Sequence, residues 1–256
     1  MYRIYRASIM FKKICFILLS FCVTINAQKD SIIDSTKTEI QLTGFIAPAA
    51  LIAIGMYGLH NEPFKKWDVD LNNSLSKEGQ QTSIDDYIYL VPGIAVYGLD
   101  LMGVEPKNNV LDRSLQLGAS LGLMYVGVKT MKRTIGRKRP DGLGNSAFPS
   151  GHTAFAFVLA EFAHQELGHI SYWYSIGAYS IATTTAYLRL YNNKHWFTDV
   201  IAGAGIGMFL TKLVYYAYPK LKNLIFKPSI DNESVRFSFS PQLVENKIGA
   251  GFNLTF

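Results

Sequence analysis

The 256-residue chain has only two cysteines, Cys15 and Cys22, and both fall inside one short apolar run near the N-terminus. If that run is removed on export, disulfides and thiol catalysis are excluded from the remainder. Charge is also scarce, with Asp, Glu, Lys and Arg at 17% of residues against 49% hydrophobic. That balance favours a membrane-embedded or membrane-associated helical protein. The sequence has no internal repeat and no low-complexity tract. Nor does it contain a group of carboxylates and histidines spaced to hold a metal.

What is present begins with Arg3, Arg6, Lys12 and Lys13, followed by the apolar residues 14–23 and a small residue, Ala27, before Gln28. This order is that of a secretory signal, expected to occupy residues 1–27. An uncleaved membrane anchor is the other reading, though the run is short for a span. Removal takes four positive charges and no negative ones, so a formal charge of +6 becomes +2. The exported chain is then not generally basic, and nucleic acid is not an expected partner. Its cations are concentrated instead at Lys132, Arg133, Arg137, Lys138 and Arg139, which suits a bound anion better.

Residues 28–42 read as a polar lead-in. From 43 to 219 the pattern predicts an all-α bundle of about six mostly apolar helices. They are expected at 44–59, 87–103, 115–131, from Pro149 onward, 170–190 and 196–218, with Pro219 ending the last. Residues 61–86 are amphipathic, either a connector at a membrane surface or a helix capping the bundle. Gly203 and Gly207 can form a packing face in the last helix. The segment 220–256 is different, with alternating residues at 235–240 and 249–256. That alternation predicts a short C-terminal β-hairpin with its turn at 241–247.

Three clusters of polar chemistry sit at edges of apolar helices. The first joins Lys132 to Arg139-Pro140, the second is Pro149-Ser150-Gly151-His152, and the third runs from Arg189 through His195 to Asp199. On a helix His195 and Asp199, four apart, share one face. A carboxylate there can fix the imidazole tautomer while an arginine grips an anion. That suits a histidine attacking phosphorus, but a structural His–Asp pair beside a surface arginine fits the third cluster alone. Ser150 is a natural helix N-cap, and the amides around Gly151 would open a helix toward an anion.

Taken together, the three clusters resemble the three-part signature of the type 2 phosphatidic acid phosphatase superfamily, which includes bacterial acid phosphatases and vanadium haloperoxidases. Lys, six residues, then Arg-Pro is present; Pro-Ser-Gly-His is complete; Arg, five residues, His, three residues, Asp is present. Leu188 departs from the pattern, standing where the family usually has Ser. The resemblance covers about residues 43–219. It implies that His195 attacks phosphorus, Asp199 orients it and His152 protonates the leaving oxygen. It also implies that Lys132, Arg139, Ser150, Gly151 and Arg189 bind the phosphate, with no metal and no cofactor.

The expectation is therefore a phosphoric ester hydrolase acting on a lipid phosphate monoester or pyrophosphate through a phospho-histidine. A soluble non-specific acid phosphatase, a lipid phosphotransferase and a haloperoxidase remain open within the same fold. A catalytically silent phospholipid-binding protein is the alternative from another class. Arg133, Arg137 and Lys138 are expected to be solvated or to touch headgroups. His60, His164 and His169 match no motif, and Asp100 and Glu161 are expected to face the bundle interior or each other. The expected location is the cell envelope, with membrane association and the site on the periplasmic side.

Overall fold

The computed structural model describes residues 43–76, 81–225, 236–244 and 247–255. The expected signal segment and polar lead-in lie outside these residues. Contacts divide the chain into two units, residues 1–217 and 218–256. Every regular element in the described part of the first is helical, as its pattern requires.

Helix α1 spans Thr43–His60 and α2 spans Glu62–Leu75. Asn61 starts α2 by accepting from the Phe64 N–H, with Pro63 in the first turn, where its missing N–H costs nothing. The expected connector thus begins as a true helix, burying Asp68, Leu71 and Asn72 on one face. Two 3-10 turns, Ile84–Asp86 and Ile88–Leu90, lead into α3, Val91–Leu101. Helix α4 covers Val110–Ile135, capped by Asn109, whose side chain accepts from the Asp112 N–H. It ends where Gly136 takes a left-handed φ of 59° and returns its N–H to the Lys132 carbonyl. Lys132, expected in a loop, is therefore in the last turn of α4.

Helices α5 (Gly151–Leu167) and α6 (Tyr172–Tyr191) pack along each other at the centre. Helix α5 is buried on nearly every side, which explains its lack of a polar stripe. Helix α7, Phe197–Ile225, continues past Pro219, which was expected to stop it. Proline removes one backbone donor and strains the preceding turn, but here it bends to the propagation of a long helix.

Close backbone approach fixes how α7 sits in the first unit. A Cβ on Gly203 would lie 2.6 Å from the Ser150 carbonyl oxygen, and one on Gly207 would lie 2.3 Å from that of Ala154. On another face, a Cβ on Gly205 would lie 2.6 Å from the Pro48 carbonyl oxygen. The glycine face expected from sequence is real, and it presses α7 between α1 and the start of α5. Apolar burial drives the assembly, with Val96, Phe157, Phe162, Ala182, Leu190, Phe197 and Ile201 in one core.

The two acids inside apolar runs do not meet each other. Asp100 pairs with the buried Arg113, and Glu161 pairs with Lys212 at 2.8 Å while accepting from the Tyr179 hydroxyl. Each buried charge is thus matched, which its desolvation demands.

In the second unit, β1 (Arg236–Val244) and β2 (Lys247–Thr255) pair antiparallel, with Arg236 opposite Thr255 and Val244 opposite Lys247. Strand β1 continues through Pro241, which the sequence had put in the turn.

Candidate active site

His195 is almost wholly enclosed, with 2% of its surface exposed. It sits in the short turn between α6 and α7, where Asn193 takes the left-handed φ of 59° that lets the chain reverse. Its Nδ1 lies 2.8 Å from the Ala147 carbonyl oxygen. A carbonyl can only accept, so Nδ1 carries the proton and Nε2 keeps its lone pair. The Asp199 carboxylate is farther, with Oδ2 at 3.8 Å from Nδ1. The tautomer is therefore set by the backbone at Ala147, with Asp199 as an electrostatic neighbour.

Asp199, wholly buried, spends its oxygens elsewhere. Oδ2 accepts the Trp196 N–H at 2.8 Å, an N-terminal cap of α7 formed from inside the first turn. Oδ1 is ion-paired to Arg137 Nη1 at 2.6 Å. Arg137, expected to be solvated, is instead largely enclosed and also reaches Asp68 Oδ2 at 2.8 Å. Arg133 and Lys138 are exposed, as expected of them.

Burial pushes the His195 imidazole down to about 4, with Lys132 and Arg189 adding to the effect and Asp199 opposing it. Near neutral pH His195 is thus an uncharged base with a free Nε2. Lys132 is lowered to about 8, first by burial and then by Arg139 and Arg189, while Asp199 pulls the other way. Its ammonium donates to the Ser146 carbonyl oxygen. Three cations held this close repel one another, and a bound dianion would relieve that repulsion.

Arg189, 7% exposed, is anchored by Asp85, whose Oδ2 lies 2.5 Å from its Nη1. Asn192 holds the other Asp85 oxygen at 2.8 Å. Leu188 stands where the resembled signature usually has Ser, and here the arginine is oriented by this carboxylate–amide pair. The Nε atoms of both Arg139 and Arg189 are buried without any hydrogen-bond partner among the described residues. Buried guanidinium donors are costly to leave unpaired, so these two are available to an anion.

His152 opens α5 and is bounded by the 3-10 segment. Asp86 Oδ1 lies 3.2 Å from its Nε2, and the Tyr89 ring meets it edge-on. Burial and Arg189 lower the His152 imidazole, while Asp86 and Asp85 raise it. Ser150 does occupy the N-cap position, but its hydroxyl makes no cap; it pairs with the Thr153 hydroxyl at 2.9 Å. Its own N–H goes to the Asp199 carbonyl oxygen at 3.0 Å, tying the second cluster to the third. A Cβ on Gly151 would only touch Val128 and Lys132, at 3.8 and 3.9 Å. The protein's packing thus leaves room there, and the space that Gly151 keeps open belongs to the adjoining cleft.

That cleft has a volume of about 380 Å³ and is walled by Tyr89, Met124, Tyr125, Val128 and Phe155, with Lys132, Gly151 and His152 along one side. Its surface is mostly apolar. Sequence reasoning missed Asp68, Asp85, Asp86 and Arg137. No motif marks the three acids, and only folding brings α2 and the 3-10 turns to the site. Among the described residues no group of three or more His, Cys, Asp or Glu is placed to hold a metal ion.

The PAP2 superfamily profile matches residues 113–223. The lipid A 1-phosphatase of Porphyromonas gingivalis is 36% identical over 148 residues, covering 57% of this chain and 32% of that protein. The match therefore spans about a third of the length of that curated relative. A solved phosphatidylglycerolphosphate phosphatase from Bacillus subtilis, described as a transmembrane PAP2-type enzyme, superposes with a TM-score of 0.48 at 21% identity, covering 69% of this chain and 98% of that one. Aquifex aeolicus LpxE gives a TM-score of 0.43 at 21% identity over 57% and 93% of the two chains.

Proposed function

We propose, from the match of residues 113–223 to the PAP2 superfamily profile, that this protein is a phosphatase that removes phosphate from a lipid through a phospho-histidine. The observation carrying this reading is the Ala147 carbonyl on His195 Nδ1. It leaves Nε2 unprotonated in a buried, cation-lined site, as a nucleophile requires.

In the first step the Nε2 lone pair of His195 attacks phosphorus and the bond from phosphorus to the leaving oxygen breaks. His152 gives that oxygen a proton. Its low proton affinity in the empty site rises once a phosphate dianion adds negative charge nearby. Lys132, Arg139 and Arg189 stabilise the charge spread over the three equatorial oxygens, which is the largest contribution expected for this chemistry. In the second step water attacks phosphorus, the P–N bond breaks, and His152 accepts the water's proton. No step needs a metal.

The apolar cleft beside Lys132 and His152 supports a lipid rather than a small soluble ester, since a small ester would leave most of it unused. Membrane association fits two helices, Thr43–His60 and the stretch Phe197–Asn223, that are long and apolar enough to cross a bilayer. Of these, α1 turns Ile46, Ile54, Met56 and Tyr57 outward. The expected export signal supports a periplasmic site. A Lys138→Cys variant, labelled in intact cells by a membrane-impermeant maleimide, tests the side; labelling only after lysis would overturn it.

The decisive measurement is phosphate release from a panel of phosphatidate, phosphatidylglycerophosphate, polyprenyl pyrophosphate and lipid A, with wild type beside His195→Ala. Turnover by wild type and none by a folded His195→Ala supports the reading. Equal turnover by the two would sink it.

A further inference from the structure

The site contains an ion-pair network that none of the three sequence clusters requires. Arg137 Nη1 meets Asp199 Oδ1 and the Thr198 hydroxyl, each at 2.6 Å, and Nη2 meets Asp68 Oδ2 at 2.8 Å. Asp68 also accepts the Thr198 N–H at 3.1 Å and its hydroxyl at 2.6 Å. Asp68 is 1% exposed and Asp199 fully buried. The Arg137 guanidinium additionally lies over the Trp196 ring, 5.6 Å from its centre.

Arg137 also acts through its backbone. Its carbonyl oxygen accepts the Ala147 N–H at 3.0 Å, and the Ala147 carbonyl is the group that holds His195 Nδ1. One residue therefore governs both neighbours of the imidazole. Its side chain holds Asp199 Oδ1, and its backbone accepts from the peptide carrying the Ala147 acceptor. Asp68, from α2 and outside residues 113–223, fixes the guanidinium from the far side.

We propose that Asp68 and Arg137 are positioning residues that hold Asp199 and Ala147 so that His195 stays neutral with Nε2 facing the phosphate. The inference rests on His195 being the nucleophile. Arg137 neutralises the carboxylate that lies beside the ring. Removing it would leave Asp199 without its ion-pair partner and free to bind the imidazolium. The other charged groups facing His195 are Lys132 from α4 and Arg189 from α6, both of which disfavour the imidazolium. They remain in an Arg137 variant.

The test uses the full-length protein and dioctanoyl phosphatidate as probe, with Arg137→Gln, Arg137→Lys and Asp68→Asn beside wild type. Rate–pH profiles are recorded together with the titration of the His195 ring by NMR. The expected result is a fall in kcat of roughly 10- to 100-fold for Arg137→Gln, the range typical when partners that orient a functional imidazole are lost. Its acid limb and the ring titration both move to higher pH, and Arg137→Lys restores part of each. In an Asp199→Asn background the same Arg137→Gln change has little further effect. An unmoved ring titration in folded Arg137→Gln would overturn the proposal, as would an undiminished effect in that background. If Arg137→Gln does not fold, Arg137→Lys carries the same two readouts. Wild-type turnover abolished by His195→Ala, seen in parallel, separates failure of this proposal from failure of the phospho-histidine reading.

Discussion

His195 Nδ1 is 2.8 Å from the carbonyl oxygen of Ala147 but 3.8 Å from the carboxylate of Asp199. The proton on the ring is therefore held by a peptide group, and the carboxylate acts at longer range. In triads where a carboxylate alone fixes the tautomer, converting it to an amide costs about 10⁴ in kcat. Here Asp199→Asn is expected to cost less, roughly 10- to 100-fold, while His195→Ala falls to background. Steady-state kinetics of the two folded variants measures the difference, and equal losses would remove the tautomer role of Ala147.

The rate–pH profile of kcat/KM reports the free enzyme. Burial holds His195 down to about 4, so the acid limb should rise near that pH as the ring loses its proton. In the proposed mechanism His152 must be protonated to act as the acid, and it too is lowered from its ordinary value, so the decline should begin on the acid side of 6.5. A further loss should appear near pH 8, where Lys132 gives up its charge. Replacing Lys132 by Arg should remove that last step, because guanidinium stays charged. A profile whose step near pH 8 survives Lys132→Arg would assign it to another group.

Gly203→Ala and Gly207→Ala place a methyl against backbone oxygens of α5, which cannot swing aside as a side chain can. Each should destabilise by roughly 1–3 kcal/mol and lower activity with it, because α5 carries Ser150 and His152 at its start. Gly151→Ala should behave oppositely, with thermal midpoint unchanged and KM raised, since its new methyl meets only ordinary contacts inside the protein. Thermal unfolding and kinetics on the three variants distinguish packing from ligand space.

Filling the apolar cleft separates lipid from soluble substrates. Met124→Trp should raise KM for a long-chain phosphatidate by roughly tenfold, comparable to the loss from obstructing an apolar pocket. Hydrolysis of p-nitrophenyl phosphate should change little. Equal effects on both would favour a site that takes small esters.

Leu188→Ser should alter kcat/KM by less than about twofold, because Asp85 and Asn192 already hold Arg189. Asp85→Ala should raise KM markedly and leave Leu188→Ser able to recover little of it. A large gain from Leu188→Ser alone would show that the missing hydroxyl had been needed.

Helix existence was legible because each apolar run had to be buried or face lipid, and its period and length are local properties. Boundaries were less so. The apolar pattern ends at Met131, just before Lys132, whereas the stop is the left-handed Gly136 four residues after that lysine. Pro219 reads as a stop in the sequence, yet one lost hydrogen bond did not outweigh the continuation of α7. The candidate site residues were legible because three short stretches each kept their own spacing. Arg137 was not, since its neighbours in sequence are solvated and its acids come from elsewhere.

By itself, then, the sequence determined the helical class, the glycine face of α7 and the residue types that can meet a phosphate, all of which depend on near neighbours along the chain. Only the tertiary structure decided how they are held. It placed Asp68 from α2 beside Arg137, Asp85 beside Arg189 and the Ala147 carbonyl on His195. Ion pairs and tautomers depend on distances across the fold, and residues far apart in the chain acquire those distances only when apolar burial packs the helices together.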